Sequence, residues 1–411
     1  MKVLLVNPRS QFLLNEKALP PLGLMYVSSA FKEAGHCADI LDLGGNELWI
    51  RTLEERLPEG YDVLGVTCTT PQLPHVLEIL RVAQRFDITT ICGGPHATLK
   101  PEDLREFDIV CIGDGEATVP KIVAGERSFV KGFCGNIDLY HPDRESIDLW
   151  DYEFYVSGQR ATSMVTSRSC AWRRCAFCSR YPMPYDKLRF HSVDYVKEEI
   201  ESIVRLNFDA IALYDDEFFT HPKRDERIIK TLGKNNVVWR CFGKSDHILR
   251  NIKLVEHASR NGLREILLGV ESGSDTILKT INKGVSIEEN ERAIRFLHGL
   301  KVGVKSSMMI GLPGESEETL KETEEFCERI SPFVDTWDFC LFAPYPGSHV
   351  YHHPEKYDIR FDKQDTYRAY KGMHAEGWEP PHISTSKLSF ERIMEFREHL
   401  EERFKYGGRE G

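Results

Sequence analysis

Two α/β units in series are the fold class the sequence predicts: an N-terminal Rossmann-like (flavodoxin-like) parallel sheet, a (β/α)6 partial TIM barrel, and a short C-terminal region. Three observations carry this expectation. Short apolar runs alternate with helical patterns over residues 1–125, the pattern breaks over 126–160, and a second βα series of six units runs over 161–350. Such alternation is the mark of parallel strands joined by crossover helices. Residues 351–411 are polar and aromatic and finish in a charged helical pattern, "SFERIMEFREHLEERF".

In the first series the strands are "KVLLV" (2–6), "CADIL" (37–41), "VLGV" (63–66), "TTIC" (89–92) and "IVCI" (109–112). Each runs into turn residues: Asn7-Pro8, Gly44-Gly45, Thr69-Thr70-Pro71, Gly93-Gly94-Pro95 and Gly113-Asp114-Gly115. Between them, "LGLMYVSSAFKEAG" and "PHVLEILRVAQRF" carry apolar residues at helical spacing. A ligand of such a sheet sits beyond the carboxyl ends of the strands, so these loops are expected to face one site. Residues 126–160, with "YHPDRESIDLWDYEFY", read as a connecting segment. The second series has "TSMVT" (162–166), "AIALY" (210–214), "VVW" (237–239), "EILLGV" (265–270), "VKSSMMI" (304–310) and "WDFCLF" (337–342) as strands. Its first helix, "VDYVKEEIESIV", sets Val193, Val196, Ile200 and Ile203 on one face. Barrel loops at the strand carboxyl ends carry function.

Of the 411 residues, 41% are hydrophobic and 28% charged, an ordinary globular balance. The net charge of −11 weighs against a chain built chiefly to hold nucleic acid, which wants a basic surface. "MKVLLVNPRS" has four consecutive apolar residues after Lys2, a buried strand and too short for a signal-peptide core. No apolar run is long enough to span a bilayer. Eleven cysteines, an odd number without a secretory signal, argue against a disulfide scaffold and for the reducing cytoplasm. Cys92, Cys111 and Cys340, single in apolar strands, read as small buried hydrophobes.

"SRSCAWRRCAFCSR" (167–180) is different, because Cys170, Cys175 and Cys178 fall within nine residues directly after the first barrel strand. A structural zinc site wants four ligands, and no second pair lies at ribbon spacing. Three thiolates suit an iron–sulfur cluster with one iron left free. Zinc and cluster both remain open on the triplet, with the missing fourth ligand favouring the cluster.

The triplet, Phe177 before its third cysteine, and four later motifs resemble the radical S-adenosylmethionine (radical SAM) superfamily. In that family the free iron of a [4Fe-4S] cluster is chelated by the amino and carboxylate groups of SAM, and one electron cleaves the sulfonium to a 5′-deoxyadenosyl radical. The resemblance implies that Asp215, Asp216 or Glu217 of "LYDDEFF" (213–219) receives the SAM ammonium, Asp216 being slightly favoured. It implicates Glu271 and Ser272 of "LGVESGSDTILKTINKG" (268–284) in ribose or carboxylate contacts. It lays "SSMMIGLPGES" (306–316), with Ile310, along the adenine, makes "APYPGSHVY" (343–351) the sixth-strand exit, and offers Lys244 as a weaker candidate for the SAM carboxylate. One departure stands out: four residues, "AWRR", separate the first two cysteines where the family usually has three, so the loop must bulge. Each motif alone also has a plain structural reading, "DDEFF" as a solvated helix start and "GLPGES" as a turn before a capped helix.

The first sheet resembles the cobalamin-binding domain found ahead of many radical SAM barrels, through "GVTCTTPQLPHVLEIL", "CGGPHATLKPEDL" and "CIGDGEAT". The resemblance implies cobalamin contacts from Pro8, Thr70, Gln72, Leu73, Gly93, Gly94, Pro95, His96, Gly113, Gly115 and Glu116. The Asp-x-His-x-x-Gly motif is absent, and His75 and His96 lack its context, so the resemblance implies no protein histidine on the lower face of cobalt. The alternative is a flavodoxin-like domain retained for packing.

These readings together imply a cobalamin-dependent radical SAM enzyme, a methyltransferase acting on an unactivated carbon. The alternatives are a cobalamin-assisted cyclisation or rearrangement without methyl transfer and, in a different class, a non-catalytic cobalamin- or zinc-binding protein. The expected partners are a small-molecule or short-peptide substrate and an external one-electron reductant of the flavodoxin or ferredoxin type.

Overall fold

The computed structural model describes residues 1–180, 187–361 and 382–405. It divides into two compact units, one built mainly on Met1–Glu153 and the other mainly on Phe154–Asp362 with the C-terminal residues.

In the first unit β1 (Lys2–Asn7), β2 (Cys37–Asp42), β3 (Val63–Thr67), β4 (Thr89–Gly93), β5 (Ile109–Gly113) and β6 (Ser128–Gly132) form one sheet in the order β2-β1-β3-β4-β5-β6. All neighbours are parallel, with Lys2 beside Cys37 and Val3 beside Val63. A sheet buried on both faces explains why "VLLV" has no polar alternation. Leu4 and Val6 join one core with Leu64, Val66, Ile79 and Leu80, while Val3 and Leu5 join another with Phe31, Ile109 and Val119. The strand order reverses at β1 and β3, and the crevice at such a reversal is where an open α/β sheet takes its ligand. The sheet has six strands, not five: β6 lies inside the stretch read from sequence as connecting segment. Only Val130 of β6 is a buried large side chain and Phe129 is exposed, so its apolar signal is weak.

The second unit contains β7 (Tyr155–Val156), β8 (Gln159–Met164), β9 (Ser167–Arg168), β10 (Arg189–Phe190), β11 (Ala210–Leu213), β12 (Val238–Gly243), β13 (Leu263–Glu271), β14 (Gly303–Ile310) and β15 (Thr336–Leu341), with Arg189 grouping with the first unit. Strands β8, β11, β12, β13, β14 and β15 follow one another in parallel, as a half-barrel requires, and β7 folds antiparallel onto β8. The helix Val193–Arg205 is capped by the Ser192 hydroxyl and buries Val196, Ile200 and Ile203. Ser286 and Ser316 open the helices Ile287–Gly299 and Glu317–Ile330 with reciprocal capping boxes. The C-terminal helix Phe390–Leu400 packs on the barrel, Arg397 donating to the carbonyl of Phe339 at 3.1 Å.

Burial alternates strictly along β14. Val304, Ser306, Met308 and Ile310 are buried, and Lys305, Ser307 and Met309 lie on the more open face. The same alternation corrects one expectation. Cys92 and Cys111 are buried, but Cys340 is exposed, because it shares the open face of β15 with Thr336 and Asp338. Among the described residues no helix is long and apolar enough to cross a membrane.

Candidate active site

The approach to the cysteine loop is fastened before the first thiol. Past β8, the amide and hydroxyl of Thr166 and the amide of Ser167 all donate to the buried carboxylate of Asp215. Arg224 binds the carbonyls of Thr166 and His191 and pairs with Asp225 at 3.0 Å. Asp215 is therefore taken up by Thr166 and Ser167. Ser169 and Arg173 adopt left-handed φ values of 76° and 48°, which the bulged loop requires. A turn from Cys178 N–H to Cys175 C=O, at 3.1 Å, brings the last two thiols round together.

Cys175 lies within electrostatic range of both Cys170 and Cys178. Burial pushes the Cys175 thiol up to about 12 and raises Cys170 and Cys178 as well. Partly desolvated thiolates want a metal. The amides of Trp172 and Arg180 already point at Cys170 and Cys178 sulfurs, at 3.3 and 3.4 Å. Tetrahedral zinc would draw its sulfurs to roughly 3.8 Å of one another. Among the described residues, Glu217, Asp246 and His247 bring three further metal-capable ligand atoms within 4.8 Å of one another. Three thiols without a fourth cysteine at ribbon spacing suit a multi-iron cluster better than one structural ion.

Around the thiols lies a shell of charge. Glu217 is buried, its carboxylate 3.8 Å from Cys170 Sγ and against His247 Nδ1. Asp216 turns the other way to Arg180, at 3.3 Å. Asp246 is held by Lys244 at 2.8 Å and Arg250 at 3.0 Å, so the Glu217–Asp246–His247 trio is balanced by cations from the protein itself. Burial alone would lower the Lys283 ammonium, but Glu271, at 2.6 Å, and the thiols of Cys175 and Cys178 hold it above its usual range. Gly269 leaves room for this pair: a Cβ there would lie 2.8 Å from Lys283 Nζ. Glu271 itself carries a φ of 67°.

The remaining expected SAM residues divide. Phe177 is half-buried against Ile277, Leu278 and Leu312, its ring 5.9 Å from Lys283 Nζ. Lys244 Nζ reaches Asp246, the carbonyl of Gly284 at 3.1 Å, and the ring of Trp172. Ser272 is fully buried, 3.4 Å from Thr323 and accepting from Ser274 N–H, and Ile310 is fully buried with its carbonyl taking Phe342 N–H at 2.7 Å. Sequence reasoning did not single out Lys283, His247, Trp172 or Arg180. Lys283 sits in the quoted "INKG", and a lysine that close to a glutamate motif was the available signal.

In the first unit the loops after β1, β3, β4 and β5 hold the expected cobalamin residues. Gln72 is buried and bridges two of them, donating to Pro8 C=O at 2.9 Å while accepting from Thr69 N–H at 3.0 Å. Thr70 Oγ1 lies 3.1 Å from His96 Nδ1, and His96 Nε2 lies 3.3 Å from Asp103. Burial lowers the His96 imidazole, which is fully enclosed. His75 packs edge-on to Trp49 at 5.5 Å. Gly93 C=O accepts from Cys68 N–H at 2.8 Å, and Gly94, at φ 97°, leaves no room for a Cβ beside Thr67 and Cys68. Pro95 begins the short helix Pro95–Leu99. Gly113, at φ 96°, abuts Gly132, and Gly115 begins a helix containing the buried Glu116. Leu73 is buried in the core.

Residues 164–327 match the Radical SAM superfamily and residues 16–123 match the B12 binding domain. The chain joins a B12-binding domain to a radical SAM domain. These domains imply three cofactors: a [4Fe-4S] cluster and SAM in one, cobalamin in the other. The chain is 26% identical over 388 residues to an uncharacterised methyltransferase of Pyrococcus horikoshii, covering 85% of this chain and 82% of that one. It is 26% identical over 371 residues to the anaerobic magnesium-protoporphyrin IX monomethyl ester cyclase of Rubrivivax gelatinosus (81% and 66%). It is 25% identical over 387 residues to the hopanoid C-3 methylase of Methylococcus capsulatus (86% and 72%). The fold is that of the cobalamin-dependent SAM radical enzyme OxsB, with TM-score 0.72, 18% identity and coverage of 98% of this chain and 67% of that one. It is equally that of the radical SAM methyltransferase TsrM from Kitasatospora setae, with TM-score 0.70, 16% identity and coverage of 97% and 89%.

Proposed function

We propose that the protein is a cobalamin-dependent radical SAM methyltransferase acting on an unactivated carbon of a small metabolite or short peptide. The observation that carries this reading is the three-thiol loop at the mouth of the half-barrel, with Glu217 against Cys170, in a chain that also holds a B12-binding domain. When bound, the three cofactors supply one-electron cleavage of SAM, hydrogen abstraction, and a transferable methyl group.

The chain's own residues divide the remaining work. Cys170, Cys175 and Cys178 hold the iron. Glu217 accepts the SAM ammonium, since a buried carboxylate facing that loop offers a charge-assisted acceptor. This moves the choice away from Asp216, which is engaged by Arg180. Asp215 positions the loop rather than the ligand. Phe177, Glu271, Ser272 and Ile310 border the SAM site. The glycine loops at Gly93-Gly94 and Gly113, with Thr70 and Gln72, receive cobalamin. His96 has both ring nitrogens facing Thr70 and Asp103, so neither would be offered to a bound cobalamin. Electron paramagnetic resonance of the Co(II) protein should show no imidazole nitrogen splitting, and such splitting would contradict this assignment.

A second reading, cyclisation or rearrangement without methyl transfer, is favoured by the similarity to the monomethyl ester cyclase. Anaerobically reconstituted protein, given SAM deuterated at its methyl group and a strong one-electron reductant, separates the two. Deuterated methyl appearing in a small molecule or peptide of a cell extract supports methyl transfer. Deoxyadenosine formation with a modified but undeuterated product supports rearrangement. A protein that takes up neither iron nor cobalamin is non-catalytic in this sense.

A further inference from the structure

The loop between Cys170 and Cys175 has four residues, Ala171–Arg174, and something must hold its bulge. Arg173 within it and Ser169 just before it are left-handed without glycine. Such conformations persist only where surrounding structure enforces them. We propose that Trp172 is a positioning residue that latches the enlarged cysteine loop onto the turn Ile281–Gly284 and so sets where the iron-binding thiols stand.

Four contacts make the latch. The indole Nε1–H of Trp172 donates to Asn282 C=O at 2.8 Å. The indole lies against Gly284, where a Cβ would fall 2.6 Å from its Cη2. Lys244 Nζ sits 4.7 Å from the ring centroid and is itself fixed by Gly284 C=O and Asp246. Arg174, two residues on in the same loop, lies 5.3 Å from the same ring, so the indole carries one cation from its own loop and one, Lys244, from the neighbouring βα unit.

The latch reaches the thiols on both sides. Trp172 N–H donates to Cys170 Sγ at 3.3 Å. One residue past Cys175, Ala176 N–H donates to Ile281 C=O at 2.8 Å, the carbonyl next to the one that Trp172 uses. Cys175 is thus bracketed by two bonds to adjacent carbonyls of one turn, and that turn also presents Lys283 to Cys175 and Cys178. Lys244, under this assignment, serves the loop rather than the SAM carboxylate.

The inference rests on the radical SAM reading, and the test separates the two. Full-length protein, unsubstituted and as Trp172→Ala, Trp172→Phe and Gly284→Ala, is reconstituted anaerobically with iron and sulfide. Iron per chain, the rate of iron loss to a chelator, and the spectrum of the reduced cluster are measured. Cobalamin content and the Tm of the iron-free chain serve as controls. Trp172→Ala should lose iron on the order of tenfold faster, with a changed spectrum and unchanged controls. Gly284→Ala should lose iron likewise, with a lower Tm from its left-handed φ of 71° but unchanged cobalamin content. Trp172→Phe, which keeps a ring but no N–H, should recover part of the loss. Unchanged iron retention in both Trp172→Ala and Gly284→Ala overturns the latch. So does a fall in the controls for Trp172→Ala, which would make the residue a general structural one. Failure of the unsubstituted chain to take up iron and sulfide overturns the radical SAM reading instead.

Discussion

In the B12-binding domain, the loops at the strand ends are largely backbone: Gly94 and Gly113 adopt φ values that bar side chains, and Gln72 spends its amide joining one loop to another. In the radical SAM domain the corresponding loops bring paired charges: Glu217 with His247, Lys283 with Glu271, Lys244 with Asp246. A broad ligand is received by close approach of backbone, for which a missing Cβ is the main requirement. The amino-acid end of SAM and a multi-iron cluster concentrate charge, and a buried charge needs a partner waiting for it. The two halves of one chain thus solve binding by different means.

The sharpest way to separate them is to empty one and watch the other. Replacing Cys170, Cys175 and Cys178 together with Ala should abolish cluster iron and all reductive cleavage of SAM while cobalamin binding stays intact. Undiminished 5′-deoxyadenosine from that variant would break the assignment. Next in size is the acidic loop. Glu217→Gln should weaken SAM binding by about 1.5–3 kcal/mol, the range for a hydrogen bond to a charged group, and Asp216→Asn by less. Titration of SAM into each reconstituted variant decides between them, and normal binding by both would leave the loop only a structural element. Asp215→Asn should instead lower thermal stability, because three donors from Thr166 and Ser167 lose their shared acceptor charge.

On the backbone side, Gly94→Ala should destabilise the B12-binding domain by about 1–3 kcal/mol through its positive φ alone. Cobalamin affinity would fall with it, and SAM cleavage without cobalamin would persist. Equal thermal unfolding of Gly94→Ala and the unsubstituted chain would show that the loop yields. An effect of a different kind belongs to Glu315, fully buried and bonded by Gly311 N–H at 2.8 Å, whose carboxyl burial lifts to about 8. Its folded form holds a proton more tightly than the unfolded chain does. Its contribution is therefore full below the ordinary glutamate range and is lost as pH rises towards 8. The Tm of the iron-free chain should fall over that interval, and Glu315→Gln should flatten the fall.

Much of this was legible in the sequence, for physical reasons. Strands buried on both faces, such as "VLLV" and "ILLGV", announce themselves as unbroken apolar runs, and all eleven expected strands lie in the two sheets. The failures follow the same rule. Strand β12 runs on to Gly243 because Arg240 is neutralised by Glu265 at 2.7 Å, and a charged residue within a strand hides it from an apolar scan. Strand β6 was missed because it buries too little. At the site, spacing revealed the three thiols but could not reveal their neighbours. His247 and Lys283 reach the thiols' surroundings from other βα units, and such proximity is a property of the fold rather than of any local motif.

The knot formed by Thr166, Asp215, Arg224 and His191 consists entirely of protein-to-protein bonds. None of them involves the cysteine sulfurs. Loss of a bound cluster would therefore leave the entrance to the loop on its course. The iron-free chain is thus expected to keep the path along which the loop would be refilled.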